Sequence, residues 1–388
     1  MLEVILNKNE EINILEGFPW VFNNEIHSFN GNIVNGSVVK VLSNDKRFIA
    51  YGFLNTNSKI MVRILSLDEE DVINKDFFKE RIKYAISHRE NLNFNDSNAL
   101  RLVFSEADML PGLVVDKYGD YLSVQFSVLG MDMIKADIVD ILVELTGCKG
   151  IYERSDVLVR EKEGLPLKKG ILYGKFNPRV QVIENGIKFY VDLENGQKTG
   201  YFLDQKFNRD NVKYYVKDKY VLDCFSNVGG FALNSAKNGA KMVDAVDISR
   251  LACDDILENA KLNGFTNINV ICDDAFNYLR NTINRYDVVI LDPPAFTKSK
   301  DSVKKAYKGY KEINLSALKL VKHGGYLITF SCSQHMTPDL FINMLKDASI
   351  DSKRHVQFID FKIQSPDHPT LLSSEEQLYL KCVILRVM

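Results

Sequence analysis

Aspartates stand where four apolar runs stop, and a cysteine stands at the end of a fifth run. YVLDCFSNVGG (220–230) presents Asp223, Phe225 and the pair Gly229-Gly230. MVDAVDIS (242–249) ends on Asp247, INVICDD (268–274) on Asp273 and Asp274, and YDVVILDPP (286–294) on Asp292. GGYLITFSCS (324–333) ends on Cys332 between two serines. An acid about 20 to 25 residues beyond a glycine turn suits hydrogen bonding to a ribose diol. The turn lacks a full G-x-G-x-x-G and by itself is weak evidence. Each acid also has a bland reading as a helix N-cap, which Asp fills well. That reading suits one or two sites and explains four successive strand ends poorly. DPPAF (292–296) adds a constraint. Two prolines directly after a buried strand remove two backbone donors and fix φ. They leave a rigid loop with exposed carbonyls and an aromatic, able to grip a flat base. Cys332 could be a small buried hydrophobe, as most cysteines are. Its flanking serines and its place at a strand end favour a nucleophile, because a thiolate attacks well near neutral pH. Cys148, Cys224, Cys253, Cys272 and Cys382 take the bland reading.

The elements that must position these residues follow from periodicity. After about residue 190, apolar strands alternate with helices, including one near 302–322. That pattern predicts an α/β fold with a parallel sheet covered on both faces and ligands at the carboxyl ends of its strands. The first 70 residues read instead as short strands punctuated by Gly, Asn and Asp (36–43, 47–55, 58–66), a small β-barrel or sheet. Between them lies a central α+β section, with helices expected over 76–92 and 134–147 and strands around 100–127. The domain reading is therefore 1–70, 71–189 and 190–388.

Composition bounds the function. The 388 residues suit two or three domains, with an ordinary soluble mixture of 46% apolar and 26% charged residues. No run of 18 apolar residues exists to span a membrane, and MLEVILNKNEE carries no secretory signal. Six cysteines without a CxxC pair predict a reducing, cytoplasmic setting, and six histidines without ligand spacing predict no metal. The net charge of −2 is not that of a strongly basic nucleic-acid binder. Locally, however, Lys298, Lys300, Lys304, Lys305, Lys308 and Lys311 cluster, with Tyr307 and Tyr310 interleaved. The cluster is either a solvated helix face or an RNA-contacting loop and helix, with lysines on phosphates and tyrosines on bases.

DPPAF resembles motif IV of the class I S-adenosylmethionine-dependent methyltransferases that modify nucleobases. With that resemblance Cys332 becomes informative. C5 of cytosine takes a methyl group only once a thiolate has added to C6, and Asp292 could assist by hydrogen bonding near N3 and N4. Over essentially its whole length the chain resembles the RlmI-like family of ribosomal large-subunit RNA methyltransferases, which make 5-methylcytosine. GFPWVFNNEI, YGFLN and SKIMVRILS resemble that family's PUA domain, a small RNA-binding β-barrel, although Phe18 replaces the usual His. SEADMLPGLVVDKYGDYLSVQ and IYERSD resemble its central domain. NGQKTGYFLDQK resembles the hairpin before its Rossmann-like methyltransferase core, with Lys206 where Arg is usual. DCFSNVGGFAL, AVDIS, DDAF, LDPPAF, GYKEIN, TFSCSQHMTPDLF, DHP and LYLKCVILRVM complete the likeness.

The resemblance implies an S-adenosyl-L-methionine site. Asp223 and Phe225 would lie near the methionine moiety, Asp247 on the ribose hydroxyls and Ile248 against adenine. Asp274 would accept from the adenine amino group and the Ala275 N–H would meet a ring nitrogen. Thr199 and Asp204 would close over the cofactor, and Asp292 would border both cofactor and base. Cys332 would be the nucleophile. Two-cysteine RNA cytosine methyltransferases carry a second cysteine in motif IV where this chain has Ala295, so the base that removes the C5 proton is open; His335 stands near in sequence. Two other readings remain: N-methylation of a guanine or adenine in RNA, which would not need Cys332, and a non-catalytic RNA-binding ribosome assembly factor. The expected partner is large-subunit ribosomal RNA, with no membrane and no metal. The target nucleotide and the oligomeric state, a homodimer included, are not legible.

Overall fold

The computed structural model describes residues 1–388 apart from Asn93, Asn95, Lys298 and residues 375–377. The chain forms two compact units. The first comprises Met1–Val182, Val191–Leu203 and Pro366–Glu375; the second comprises Ile183–Tyr190, Asp204–Ser365 and Glu376–Met388. The boundary expected near residue 70 lies inside the first unit. The one expected near 190 lies in a two-stranded ribbon, Arg179–Glu184 with Ile187–Asp192.

The first unit holds a six-stranded sheet in the order Trp20–Phe22, Ile60–Ser66, Phe48–Leu54, Val38–Leu42, Glu3–Leu6, Ile26–Asn30. Alternation explains its core: Val39 and Val41 are buried while Lys40 between them is half-buried. A five-stranded sheet follows, ordered Lys168–Tyr173, Gly150–Ser155, Tyr121–Phe126, Leu113–Tyr118, Ala99–Phe104. The helices Lys75–Glu90 and Lys135–Thr146 bury Phe78, Ile82, Ile138 and Ile141 in its core. Asn74 caps the first of these by accepting the Phe77 N–H, and Gly147 stops the second at φ +60°.

The second unit is a seven-stranded sheet in the order Ile268–Cys272, Met242–Asp247, Tyr220–Cys224, Tyr286–Leu291, Val321–Ser331, Lys381–Val387, Val356–Lys362. Successive residues point to opposite faces. Leu222, Val246, Val289 and Leu327 enter one apolar cluster, and Val221, Ala245, Val288 and Ile328 enter the other. Burial on both faces is why these strands read as continuous apolar runs. The expected parallel sheet is present, with an antiparallel edge added to it. The first five strands in that order are parallel, but Lys381–Val387 runs antiparallel to both of its neighbours. An antiparallel pair needs no crossover helix, and none lies between Val356–Lys362 and Lys381–Val387 among the described residues. Strand order reverses between Tyr220–Cys224 and Tyr286–Leu291, and the crevice at such a switch point is where doubly wound sheets bind ligands.

Candidate active site

Four acids gather at the carboxyl ends of the parallel strands in the second unit. Asp223 is fully buried; its Oδ2 accepts the Ala232 N–H at 3.0 Å, in the first turn of the helix Gly230–Lys237. Its Oδ1 is also buried and meets no donor among the described residues. Burial pushes its pKa up to about 8, with the charges of Asp292 and Asp247 adding to the effect. The turn that follows is sterically special. Phe225 has φ +63°, Asn227 +52° and Gly229 +90°. A Cβ at Gly229 would lie 3.2 Å from Leu233 and 3.3 Å from Ile256. A bulky residue in left-handed backbone is a local cost that the surrounding packing must offset. The Phe225 ring stands edge-on to Phe276 at 6.3 Å.

Asp247 ends the neighbouring strand. Its Oδ2 accepts the Asn227 N–H and its Oδ1 the Ser249 N–H, both at 2.8 Å. A carboxylate has about four acceptor positions, so each oxygen keeps one for a ligand hydroxyl. Ile248, next in the chain, is 71% exposed and offers an open apolar surface. Asp274 caps Ala275–Asn281 by accepting the Asn277 N–H at 2.9 Å on Oδ1, with Ala275 buried behind it. An orphaned buried acceptor at Asp223, a carboxylate fork at Asp247 and an apolar shelf at Ile248 form a set of acceptors and apolar surface that fits an amino acid joined to a ribonucleoside.

Asp292 closes the fourth parallel strand. Gln205 Nε2 donates to its Oδ1 at 3.0 Å. Burial raises its pKa to about 7 and the Asp204 charge adds to this, while Arg209 and Gln205 oppose it. Arg209 is in turn paired with Glu184, both buried. Asp204 accepts the Tyr379 hydroxyl at 2.6 Å, and its other oxygen is buried with no donor among the described residues. Cys332 is half-buried, and its Sγ–H donates to the Pro293 carbonyl at 3.9 Å. Thiol and Asp-Pro-Pro loop are thus brought together from positions 39 apart in the chain. Phe296 is anchored between Phe276 and Tyr310, with ring centroids 5.9 and 4.5 Å away. Thr199 belongs to the first unit, where it is buried against Asp116 and the Tyr118 hydroxyl.

Lys298 lies outside the described residues. Lys304, Lys305 and Lys308 are exposed on the helix Val303–Leu320. The base-stacking reading of the two tyrosines gives way to a packing role: Tyr310 is fully buried, and the Tyr307 hydroxyl donates to Asp347 at 2.6 Å. Lys311 is paired with Asp351. Residues missed from the sequence include Gln205, Arg209 and Lys381. Only Lys381 carried a readable signal, as a lysine inside the apolar run LYLKCVIL. Among the described residues no group of acids, histidines and cysteines could hold a metal, and no helix is long and apolar enough to cross a membrane.

Comparison with known proteins bears on this arrangement. Residues 170–380 match the model of a family described as S-adenosylmethionine-dependent methyltransferase, and residues 4–67 that of a PUA-like domain. Ribosomal RNA large subunit methyltransferase I of Aeromonas salmonicida is 40% identical over 99% of this chain and 98% of its own length. The protein of that name from Aliivibrio fischeri is 39% identical over 100% and 99%. Among solved structures, a candidate S-adenosylmethionine-dependent methyltransferase from Streptococcus mutans matches the whole of both chains at TM-score 0.83 and 23% identity. A candidate methyltransferase in complex with S-adenosylhomocysteine matches equally fully at 0.85 and 23%. At that identity the likeness is one of fold.

Proposed function

The chain belongs to the ribosomal RNA large subunit methyltransferase I family of S-adenosylmethionine-dependent enzymes, and on that premise we propose that it methylates C5 of a cytosine in large-subunit ribosomal RNA through an adduct with Cys332. The observation that carries this reading is the approach of the Cys332 thiol to the Pro293 carbonyl, one residue beyond Asp292. Asp223, Asp247, Ile248, Asp274 and Ala275 are the residues we assign to the cofactor. Bound to them, S-adenosylmethionine supplies an electrophilic methyl group for C5.

The chain's own residues do the rest. Cys332 gives up its proton to solvent, and the thiolate bonds to C6 as the C5–C6 π pair shifts to C4–C5 and the C4–N3 pair onto N3. Charge then grows at N3, where an acid can meet it. Asp292, whose pKa burial raises to about 7, can still hold a proton near neutral pH and is the donor we assign. After methylation the C5 proton leaves to a water or another base, the C6–S bond breaks, and Asp292 recovers its proton. Lys304, Lys305 and Lys308 are assigned to RNA phosphates. The test is Cys332→Ala in full-length enzyme acting on ribosomal RNA. Loss of 5-methylcytosine with cofactor affinity retained supports the reading. Continued C5 methylation, or a methyl found on a ring or exocyclic nitrogen, overturns it.

A further inference from the structure

Gln205 and Asn208 are both buried, the first just ahead of the helix Lys206–Asn211 and the second in its first turn. They form a short relay that ends on Asp292. Asn208 Nδ2 donates to the backbone carbonyl of Ile363 at 3.3 Å and to Gln205 Oε1 at 2.8 Å. Gln205 Nε2 then donates to Asp292 Oδ1 at 3.0 Å. A backbone carbonyl only accepts, so the Ile363 contact fixes which end of the Asn208 amide faces it. With that nitrogen in place, the atom of Gln205 that meets Asn208 must be its oxygen. The Gln205 nitrogen is thereby held toward Asp292. Turning either amide round would set oxygen against oxygen, at Ile363 or at the Asp292 carboxylate. Asn208 Oδ1 stays buried without a donor among the described residues, the smaller loss of the two orientations.

Asp292 is half-buried, and the bond from Gln205 is the one hydrogen bond its carboxyl group makes among the described residues. An N–H facing Oδ1 is best met by an unprotonated oxygen, so a proton on this group belongs on Oδ2. We propose that Gln205, oriented by Asn208, is a positioning residue that keeps the proton of Asp292 on Oδ2 and makes that oxygen the one that exchanges a proton with the base. The Oδ2–H bond breaks as N3 takes the proton on the electron pair displaced from C4–N3. The pair left behind spreads over the carboxylate, and the Gln205 N–H meets its share on Oδ1. When the C6–S bond breaks, the N3 proton returns to Oδ2. The proposal rests on the reading of Asp292 as the acid in cytosine methylation.

Several titratable groups surround this carboxyl. Asp204, one residue before Gln205, favours its protonated form, while Arg209 and the Gln205 N–H favour the ionised one. Arg209, on the same helix as Asn208, is paired with Glu184. Asp223, at the neighbouring strand end, feels the charge of Asp292, and burial keeps it protonated up to about pH 8. Cys382, in the strand Lys381–Val387, feels the same charge, and burial holds its thiol well above the usual range. Cys332 meets the carbonyl of the next residue, Pro293. Among the described residues, Gln205 alone touches the carboxyl through a hydrogen bond.

The experiment measures the single-turnover rate of 5-methylcytosine formation by full-length enzyme on ribosomal RNA, at saturating S-adenosylmethionine, from pH 5.5 to 9.5. An acid that must carry a proton gives the rate a falling limb at high pH. Gln205→Leu nearly keeps the side-chain volume and removes the donor. The ionised carboxylate then loses a hydrogen bond, so the limb should move up by about one pH unit. The plateau rate should fall about ten- to a hundredfold, because the proton is no longer held on one oxygen. Asn208→Asp replaces the donor to Gln205 by an acceptor and lets the Gln205 amide turn round; it should move limb and plateau in the same directions. S-adenosylhomocysteine binding by calorimetry reports whether each variant is folded. An unchanged plateau or an unmoved limb in folded Gln205→Leu overturns the proposal; a slower rate with an unmoved limb is what a merely structural role would give. If Gln205→Leu does not fold, Asn208→Asp decides by the same two measures. Asp292→Asn separates this from the parent reading. Methylation by Asp292→Asn at the wild-type rate, or a wild-type profile without a falling limb, removes the acid itself and the proposal with it. Inactive Asp292→Asn beside an unmoved Gln205→Leu profile removes only the role of Gln205.

Discussion

Asp247 and Cys332 are the residues on which most depends, and each is tested by one substitution. The two backbone amides that bind Asp247 hold its carboxylate in a fixed orientation, leaving one acceptor position on each oxygen. Removing a charged acceptor from a ligand diol costs about 1.5–3 kcal/mol, so Asp247→Ala should weaken S-adenosylmethionine binding about ten- to a hundredfold in calorimetric titration. Unchanged affinity would remove Asp247 from the cofactor site. For Cys332 the sharpest probe is RNA carrying 5-fluorocytosine at the target. Turnover needs the C5 substituent to leave as a cation, which a proton does and fluorine does not. Wild type should therefore form a complex stable to denaturing electrophoresis, and Cys332→Ala should form none. A stable complex with the alanine variant would point to a different nucleophile.

At the level of elements, the helix Val303–Leu320 divides its residues by period. Ala306, Tyr310, Ile313 and Ala317 are buried along one stripe, and Lys304, Lys305 and Lys308 fall outside it. Charge reversal at Lys304 and Lys305 should lower RNA affinity and flatten its dependence on salt, since each lost phosphate contact removes counterion release. Cofactor affinity should not change; a salt slope equal to that of wild type would reduce the lysines to a solvated face. The same stripe was open to reading in the sequence, because Tyr310 keeps the helical spacing of the apolar residues. Composition drew attention to an interleaved Lys-Tyr cluster, and period assigns its tyrosines to packing. The strand ends were legible for a simpler reason. Apolar runs buried on both faces stop abruptly, and Asp223, Asp247, Asp274, Asp292 and Cys332 mark those stops. The parallel direction of five strands was legible in their alternation with helices; the antiparallel direction of Lys381–Val387 was not, since an apolar run alone reads alike whichever way its neighbour runs. Nor were Gln205 or Lys381 assignable to the site. Gln205 meets Asp292 across 87 residues and Lys381 meets the Ser333 carbonyl across 48, distances over which local patterns carry no information.

For the whole molecule, collecting acids at one end of a sheet has a consequence for stability. Asp223, near 8, and Asp292, near 7, keep their protons in the folded chain well above the value of about 3.9 that an unfolded aspartate has. Between about pH 4 and pH 8 the folded state therefore binds more protons than the unfolded state, and stability falls as pH rises. Their contribution is fully present below about pH 4 and is lost as pH passes through the folded values. Other groups titrate in that window, so the informative quantity is the difference between wild type and Asp223→Asn, which removes one such proton. Thermal unfolding from pH 6 to 9 without cofactor should show the variant gaining on wild type as pH rises, then levelling off above about pH 8. A difference that does not vary with pH would mean that Asp223 is ionised in the folded chain. Saturating S-adenosylmethionine adds the opposite test. A cationic ligand beside the orphaned Asp223 oxygen favours the carboxylate, lowers its pKa in the complex and shrinks the pH dependence of that difference. If the dependence is equally steep with and without cofactor, the ligand's positive charge does not sit against Asp223, and that residue's place under the methionine moiety fails.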